Sequence, residues 1–155
     1  MPSLSIAEVA DRFPDFRVAL IVAEGLRIGA ARSAALATEI AAIEDACRQR
    51  WNGTELSAIP GVAAWRAAYK GFGIKRTSYR SSVERLIKRV LAGGALPEVN
   101  ALVDLYNAVS LASELCLGCD DLDAIEGDLE FRFSRDGDTF LDMGAEAGED
   151  PNSCA

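Results

Sequence analysis

The chain contains no histidine at all. That absence removes Ser/His/Asp and Cys/His nucleophile arrangements, zinc sites built on a helical His-x-x-x-His pair, and imidazole acid–base chemistry. Any catalysis is left to carboxylates, thiols, amines, hydroxyls, backbone dipoles or the substrate itself. Long apolar runs are missing too. The longest clean one, Val18-Ala19-Leu20-Ile21-Val22-Ala23, is far short of the ~20 residues that cross a bilayer. The opening residues lack the basic start and long apolar core of a signal peptide. A cytoplasmic protein is expected, with no membrane partner and with reduced thiols. Its four cysteines, Cys47, Cys116, Cys119 and Cys154, then read as packed or incidental rather than bridged.

The 155 residues are half hydrophobic and 26% charged, with a formal net charge of −8, a balance that suits one soluble domain. Residues 17–23 read as a short buried strand, being β-branched, bounded and apolar. From about residue 33 to 49, Leu36, Ile40, Ile43 and Cys47 form one helical stripe. Asn52-Gly53 breaks the chain, and a shorter helix follows Pro60 and ends near Gly71-Phe72-Gly73. The clearest helix spans residues 81–91. Ser81 and Glu84 match a capping box, Val83, Leu86, Ile87, Val90 and Leu91 share a face, and Gly93-Gly94 stops the run. Another helix is expected from about residue 98 to 115, with Val99, Leu102, Val103, Tyr106 and Val109 inward.

Beyond Gly118 the period changes to two. Leu129, Phe131 and Phe133 alternate with polar residues, Asp136-Gly137 signals a turn, and Thr139-Phe140-Leu141 is expected to return as the hairpin partner. The class is α+β: a single domain over residues 1–145, with helices packed on a small mixed or antiparallel sheet. Residues 146–155 read as a disordered acidic tail.

Charge is unevenly spread. Residues 65–95 carry eight cations (Arg66, Lys70, Lys75, Arg76, Arg80, Arg85, Lys88 and Arg89) against the single acid Glu84, while residues 96–155 carry 15 acids and two cations. Such a patch attracts phosphates, whereas the overall acidity argues against nonspecific nucleic-acid binding and so against DNA. A solvated helix face paired with the acidic half explains the same counts. Asn100, Asp104 and Asn107, at i, i+4 and i+7, share a helix face and either line a small pocket or cap neighbouring loops. Cys116-Leu117-Gly118-Cys119 is one C-x-x-C with no second ligand pair, so no metal is expected, and no cofactor. The acidic run from Asp120 to Asp128 lacks the ligand order and glycine of a calcium loop.

One ordered series is more specific than these parts. It comprises Trp65-Arg66-Ala67-Ala68-Tyr69-Lys70-Gly71-Phe72-Gly73, Lys75-Arg76, Ser82-Val83-Glu84-Arg85-Leu86-Ile87-Lys88-Arg89-Val90 and Leu96-Pro97-Glu98-Val99-Asn100. Leu102-Val103-Asp104-Leu105-Tyr106-Asn107 and Asp121-Leu122-Asp123-Ala124-Ile125-Glu126-Gly127 complete it. Over about residues 10–145 this resembles the B-three/B-four domain of the phenylalanyl-tRNA synthetase β subunit, and especially free-standing proteins built from that domain. The resemblance implies an editing-domain-like α+β fold and a tRNA partner, aminoacylated or not. It also implies an aminoacyl-tRNA deacylase activity, which in the synthetase removes tyrosine from phenylalanine tRNA.

Asn107 falls at an asparagine bordering the synthetase's amino-acid pocket. Gly118 stands where that family has a histidine, and the later glycine-rich loop and tyrosine-recognising acid have no counterpart, so no catalytic residue is named. The resemblance also makes the chain look shortened at its C-terminal end, with an exposed sheet edge offering a homodimer contact. The reading of a different class is a noncatalytic protein-interaction or small-ligand module on the same fold.

Overall fold

The computed structural model describes residues 2–74, 79–141 and 152–153. The chain divides into two compact units, residues 25–119 and residues 1–24 with 120–155. It is mostly helical with few, short strands, an α+β protein.

The smaller unit holds β1 (Leu4–Ser5) and α1 (Ala7–Arg12). The larger holds α2 (Ala34–Trp51), α3 (Pro60–Gly71), α4 (Ser82–Leu91) and α5 (Ala101–Ser113). The chain then returns to the smaller unit for β2 (Leu129–Glu130), β3 (Thr139–Phe140) and β4 (Asn152–Ser153).

In the larger unit serine side chains cap two of the helices. Ser33 caps α2 by accepting the Leu36 N–H at 3.1 Å, and Ser81 caps α4 by accepting the Glu84 N–H at 3.3 Å. Gly93, at φ +86°, ends α4. The Gly94 N–H donates to the Arg89 carbonyl and the Gly93 N–H to that of Val90, the paired bonds of a Schellman turn. The core joins Ile40 and Cys47 of α2, Val62 of α3, Val83, Leu86, Ile87 and Val90 of α4, and Ala108 and Leu111 of α5, with Ile59 and Leu96 closing it. Full burial of one such aliphatic side chain is worth about 1.5–3 kcal/mol, enough to fix the orientation of α4.

Buried acids tie the loops to this core. Glu44 accepts the Leu96 N–H at 2.6 Å, and Arg48 reaches the carbonyls of Val90 and Gly94. Glu114, left-handed at φ 61°, accepts the Gly61 N–H at 3.1 Å. There the start of α3 comes so close that a Cβ on Gly61 would lie 2.6 Å from that of Glu114. A carboxylate at the first turn of a helix also meets its positive dipole end.

Three expectations are corrected. Residues 17–23 form no strand: Leu20, Ile21 and Val22 are exposed, Ile21 at 88%, and no described strand pairs with them. An apolar run becomes a strand only where a ladder receives it. The helix expected over 98–115 begins after Asn100, and its buried face is Asp104, Ala108 and Leu111, whereas Val99 and Val109 are exposed. An ion pair to Asp104, described below, turns that face inward. The Asp136-Gly137 turn forms, its Asp138 N–H bonding to the Arg135 carbonyl, but it closes no β2–β3 hairpin. Instead β2 runs parallel to β1, and β3 antiparallel to β4. Asn152 and Ser153 are thus paired within the stretch expected to be tail.

The smaller unit is held largely by polar contacts. Glu8 accepts the Phe133 N–H at 3.1 Å and Arg135 Nη2 at 3.0 Å, and Asp138 accepts both Arg132 Nη atoms, at 2.6 and 2.9 Å. The Phe133 N–H, with Arg135 second, lowers the Glu8 pKa, and Arg132 holds Asp138 far below the usual carboxylate range. Asp128, bonded to the Ser3 N–H, is lowered too.

Candidate nucleic-acid interface

The basic segment lies on α3 and α4. Val83, Leu86, Ile87 and Val90 fill one side of α4, and Arg85, Lys88 and Arg89, on the opposite side, face outward. Lys70, in the last turn of α3, is exposed as well. No carboxylate among the described residues pairs with Lys70, Arg85 or Lys88, and Arg89 donates Nε to the Ala95 carbonyl at 2.5 Å. Arg66 and Arg80 behave differently, since both turn to Glu84. Arg66 makes a two-pronged bond, Nη2 to Oε1 at 2.8 Å and Nε to Oε2 at 3.2 Å, while Arg80 Nε lies 3.3 Å from Oε1. That bond raises the Arg66 pKa. Of the eight cations, Lys75 and Arg76 lie outside the described residues.

This use of Glu84 alters the expected capping box. Ser81 performs its half, but the glutamate, almost fully buried, accepts from guanidinium groups instead. The aromatics beside the patch divide between core and surface. Trp65 packs against the core and stacks tilted on Tyr69 at 5.9 Å, whereas Tyr79, next to Arg80, is exposed.

The three polar residues of α5 have separate positions in the structure. Asn100 is the cap of α5, its Oδ1 accepting the N–H groups of Leu102 and Val103 at 3.1 and 2.9 Å. Asp104, only 1% exposed, accepts Arg32 Nε at 2.7 Å and the Val99 N–H at 2.9 Å. Asn107 is half-buried, and its side-chain amide has no hydrogen-bond partner among the described residues. Arg32, which sequence reasoning passed over, also donates to the Leu96 and Pro97 carbonyls at 3.2 and 2.6 Å. The usable signal was an acid on the buried side of each helix, Asp104 here and Glu44 on the stripe of α2. A lone acid among core positions demands a cation or N–H partner. Cys116 packs against the core and Cys119 is exposed, both as free thiols. No group of three or more potential metal ligands occurs among the described residues. No described helix is long and apolar enough to cross a membrane.

The cations on the outward face of α4 and the half-buried Asn107 of α5 thus sit in an α+β domain. A family model, the B3/4 domain, matches residues 64–153, more than half of the chain, and the chain belongs to that family. This domain is found in phenylalanyl-tRNA synthetase β subunits. The match begins within α3 and takes in every cation of the patch and all three polar positions of α5. No curated protein and no solved structure gives a significant match.

Proposed function

We propose that the protein binds tRNA through the outward face of α4 and the end of α3. The observation that carries this reading is the cation set Lys70, Arg85 and Lys88, exposed and without carboxylate partners among the described residues, on elements fixed by a packed core. Phosphate contacts of this kind set affinity and orientation without reading sequence. Exposed Tyr79 adds a surface on which an unpaired base can stack. The B3/4 membership supplies the tRNA context, and such a role suits a cytoplasmic protein.

Hydrolysis of mischarged aminoacyl-tRNA is the finer form of the proposal. Asn107 is the residue suited to touch the aminoacyl group, because Asn100 and Asp104 are committed to a helix cap and an ion pair. The fitting chemistry is attack of water on the activated ester, with backbone N–H groups stabilising the oxyanion and the terminal ribose hydroxyl assisting. The second reading, a protein-interaction module, draws on the exposed apolar side chains Leu20, Ile21 and Val22 of the smaller unit.

Two assays decide among these. In a tRNA titration at low salt, Arg85→Glu combined with Lys88→Glu should abolish binding that the native chain shows. Absence of native binding refutes the tRNA reading and favours a protein partner. Following tyrosine release from mischarged phenylalanine tRNA tests the finer form. A rate equal to the uncatalysed background removes it, and loss of an observed rate in Asn107→Ala supports the assignment.

A further inference from the structure

The two arginines that turn to Glu84 have an arrangement unlike that of the other surface cations. The glutamate is 2% exposed, and its Oε1 receives Arg66 Nη2 at 2.8 Å with Arg80 Nε at 3.3 Å. Two like charges therefore converge on one oxygen. The carboxylate neutralises one of them, so the trio keeps a net charge of +1. Arg66 carries five N–H groups and gives two to Glu84. The other three, and those of the Arg80 Nη atoms, have no partner among the described residues, and the two side chains remain 44% and 36% exposed. A surface ion pair needs only one cation per carboxylate. Here the second guanidinium is brought in against Coulomb repulsion, and its outer N–H groups are left open beside those of the first.

We infer that Arg66 and Arg80, aligned by the buried Glu84, form a binding site for one phosphate group. Guanidinium edges arriving from two residues can each supply paired N–H donors to a tetrahedral oxyanion, and a fork already locked by its carboxylate loses little side-chain entropy when the anion arrives. Glu84 acts through the arginines and is a positioning residue. The same chemistry serves a free phosphate, a phosphorylated chain end or an internal phosphodiester. This site deepens the tRNA reading but is measured apart from it.

The test is a titration of the full chain with sodium phosphate at constant ionic strength, following the arginine Nε–H signals by NMR. Saturable shifts of Arg66 and Arg80 are expected, with those of Arg48 and Arg89 unmoved. Arg80→Lys keeps the charge and forfeits the fork, and it should weaken phosphate binding about tenfold with the melting temperature unchanged. Equal shifts with chloride, no shifts, or unaltered affinity in Arg80→Lys would overturn the site.

Competition with an RNA oligonucleotide, with and without a 5′-phosphate, names the source once phosphate is seen to bind. Displacement by the phosphorylated form alone identifies a chain end, displacement by both an internal phosphodiester, and by neither a free phosphate. Arg85→Glu with Lys88→Glu should leave inorganic phosphate binding intact. Loss of tRNA binding in that variant with phosphate still bound is the outcome both readings predict, whereas a native chain that binds phosphate but no tRNA counts against the tRNA reading and not against this site.

Discussion

Replacing Asp104 with alanine tests whether this residue serves the fold or a pocket. Its carboxylate is the buried partner of Arg32, whose side chain is only 10% exposed. Glu98 approaches Arg32 at 3.4 Å but is 78% exposed, and such a pair is largely screened. Without Asp104 the guanidinium keeps two backbone carbonyls and no buried counter-charge, and the Val99 N–H loses its acceptor. Breaking a buried pair by removing one partner costs about 3–5 kcal/mol. For a chain of this length each kcal/mol moves the melting temperature by about 2–4 °C, so a fall of roughly 10 °C is expected.

Urea and thermal unfolding measure this directly. Arg32→Met combined with Asp104→Leu should recover most of the loss, since no charge is then left buried. Asp104→Ala within about 0.5 kcal/mol of the native chain, or a double variant whose losses simply add, would refute the reasoning. Asp104→Asn that weakens tRNA binding or hydrolysis at unchanged stability would return the residue to the pocket.

Other outcomes follow from the same structure. Gly61→Ala should destabilise the larger unit by about 1–3 kcal/mol, because its new methyl group meets the backbone of Glu114, and denaturant unfolding would show it. In the smaller unit, Glu8, Asp128 and Asp138 have folded pKa values below their unfolded ones. The stability they contribute is therefore complete above the ordinary carboxylate range and is lost as pH falls through the lowered values. Protection of the Phe133 and Ser3 amides against hydrogen exchange, taken relative to the intrinsic rate at each pH, should fall below about pH 4, and unchanged protection at pH 2 would contradict this. Arg48→Met should release the loop after α4, seen as faster exchange at Leu96 with α3 unaffected.

The elements legible in the sequence are those whose determinants are local. The α4 helix carries its cap Ser81, its stripe from Val83 to Val90 and its stop at Gly93 within 13 residues, and all three appear in the structure. The α2 stripe from Leu36 to Cys47 was legible in the same way. What failed depends on distant partners. Residues 17–23 have the composition of a strand, but composition cannot provide the neighbouring ladder. The α5 helix is apolar on several sides, so periodicity left its orientation open and Arg32, 72 positions away from Asp104, decided it. The Leu129 run has the right alternation but pairs with Leu4 and Ser5, near the other end of the chain. At the candidate interface, exposure of Arg85, Lys88 and Arg89 followed from the stripe opposite them. The capture of Arg66 and Arg80 by one carboxylate did not, because Glu84 fits a capping box equally well.

The central claim is that the outward face of α4 meets a phosphate backbone, and the salt dependence of tRNA binding measures it most directly. With Lys70, Arg85, Lys88 and Arg89 as the contacts, log affinity should fall against log salt with a slope of roughly −3 to −4, or on the order of 50-fold or more between 50 and 200 mM. The slope should flatten by about one for each of Arg85 and Lys88 neutralised. Binding with no salt dependence, or a slope unmoved by those substitutions, would contradict the account.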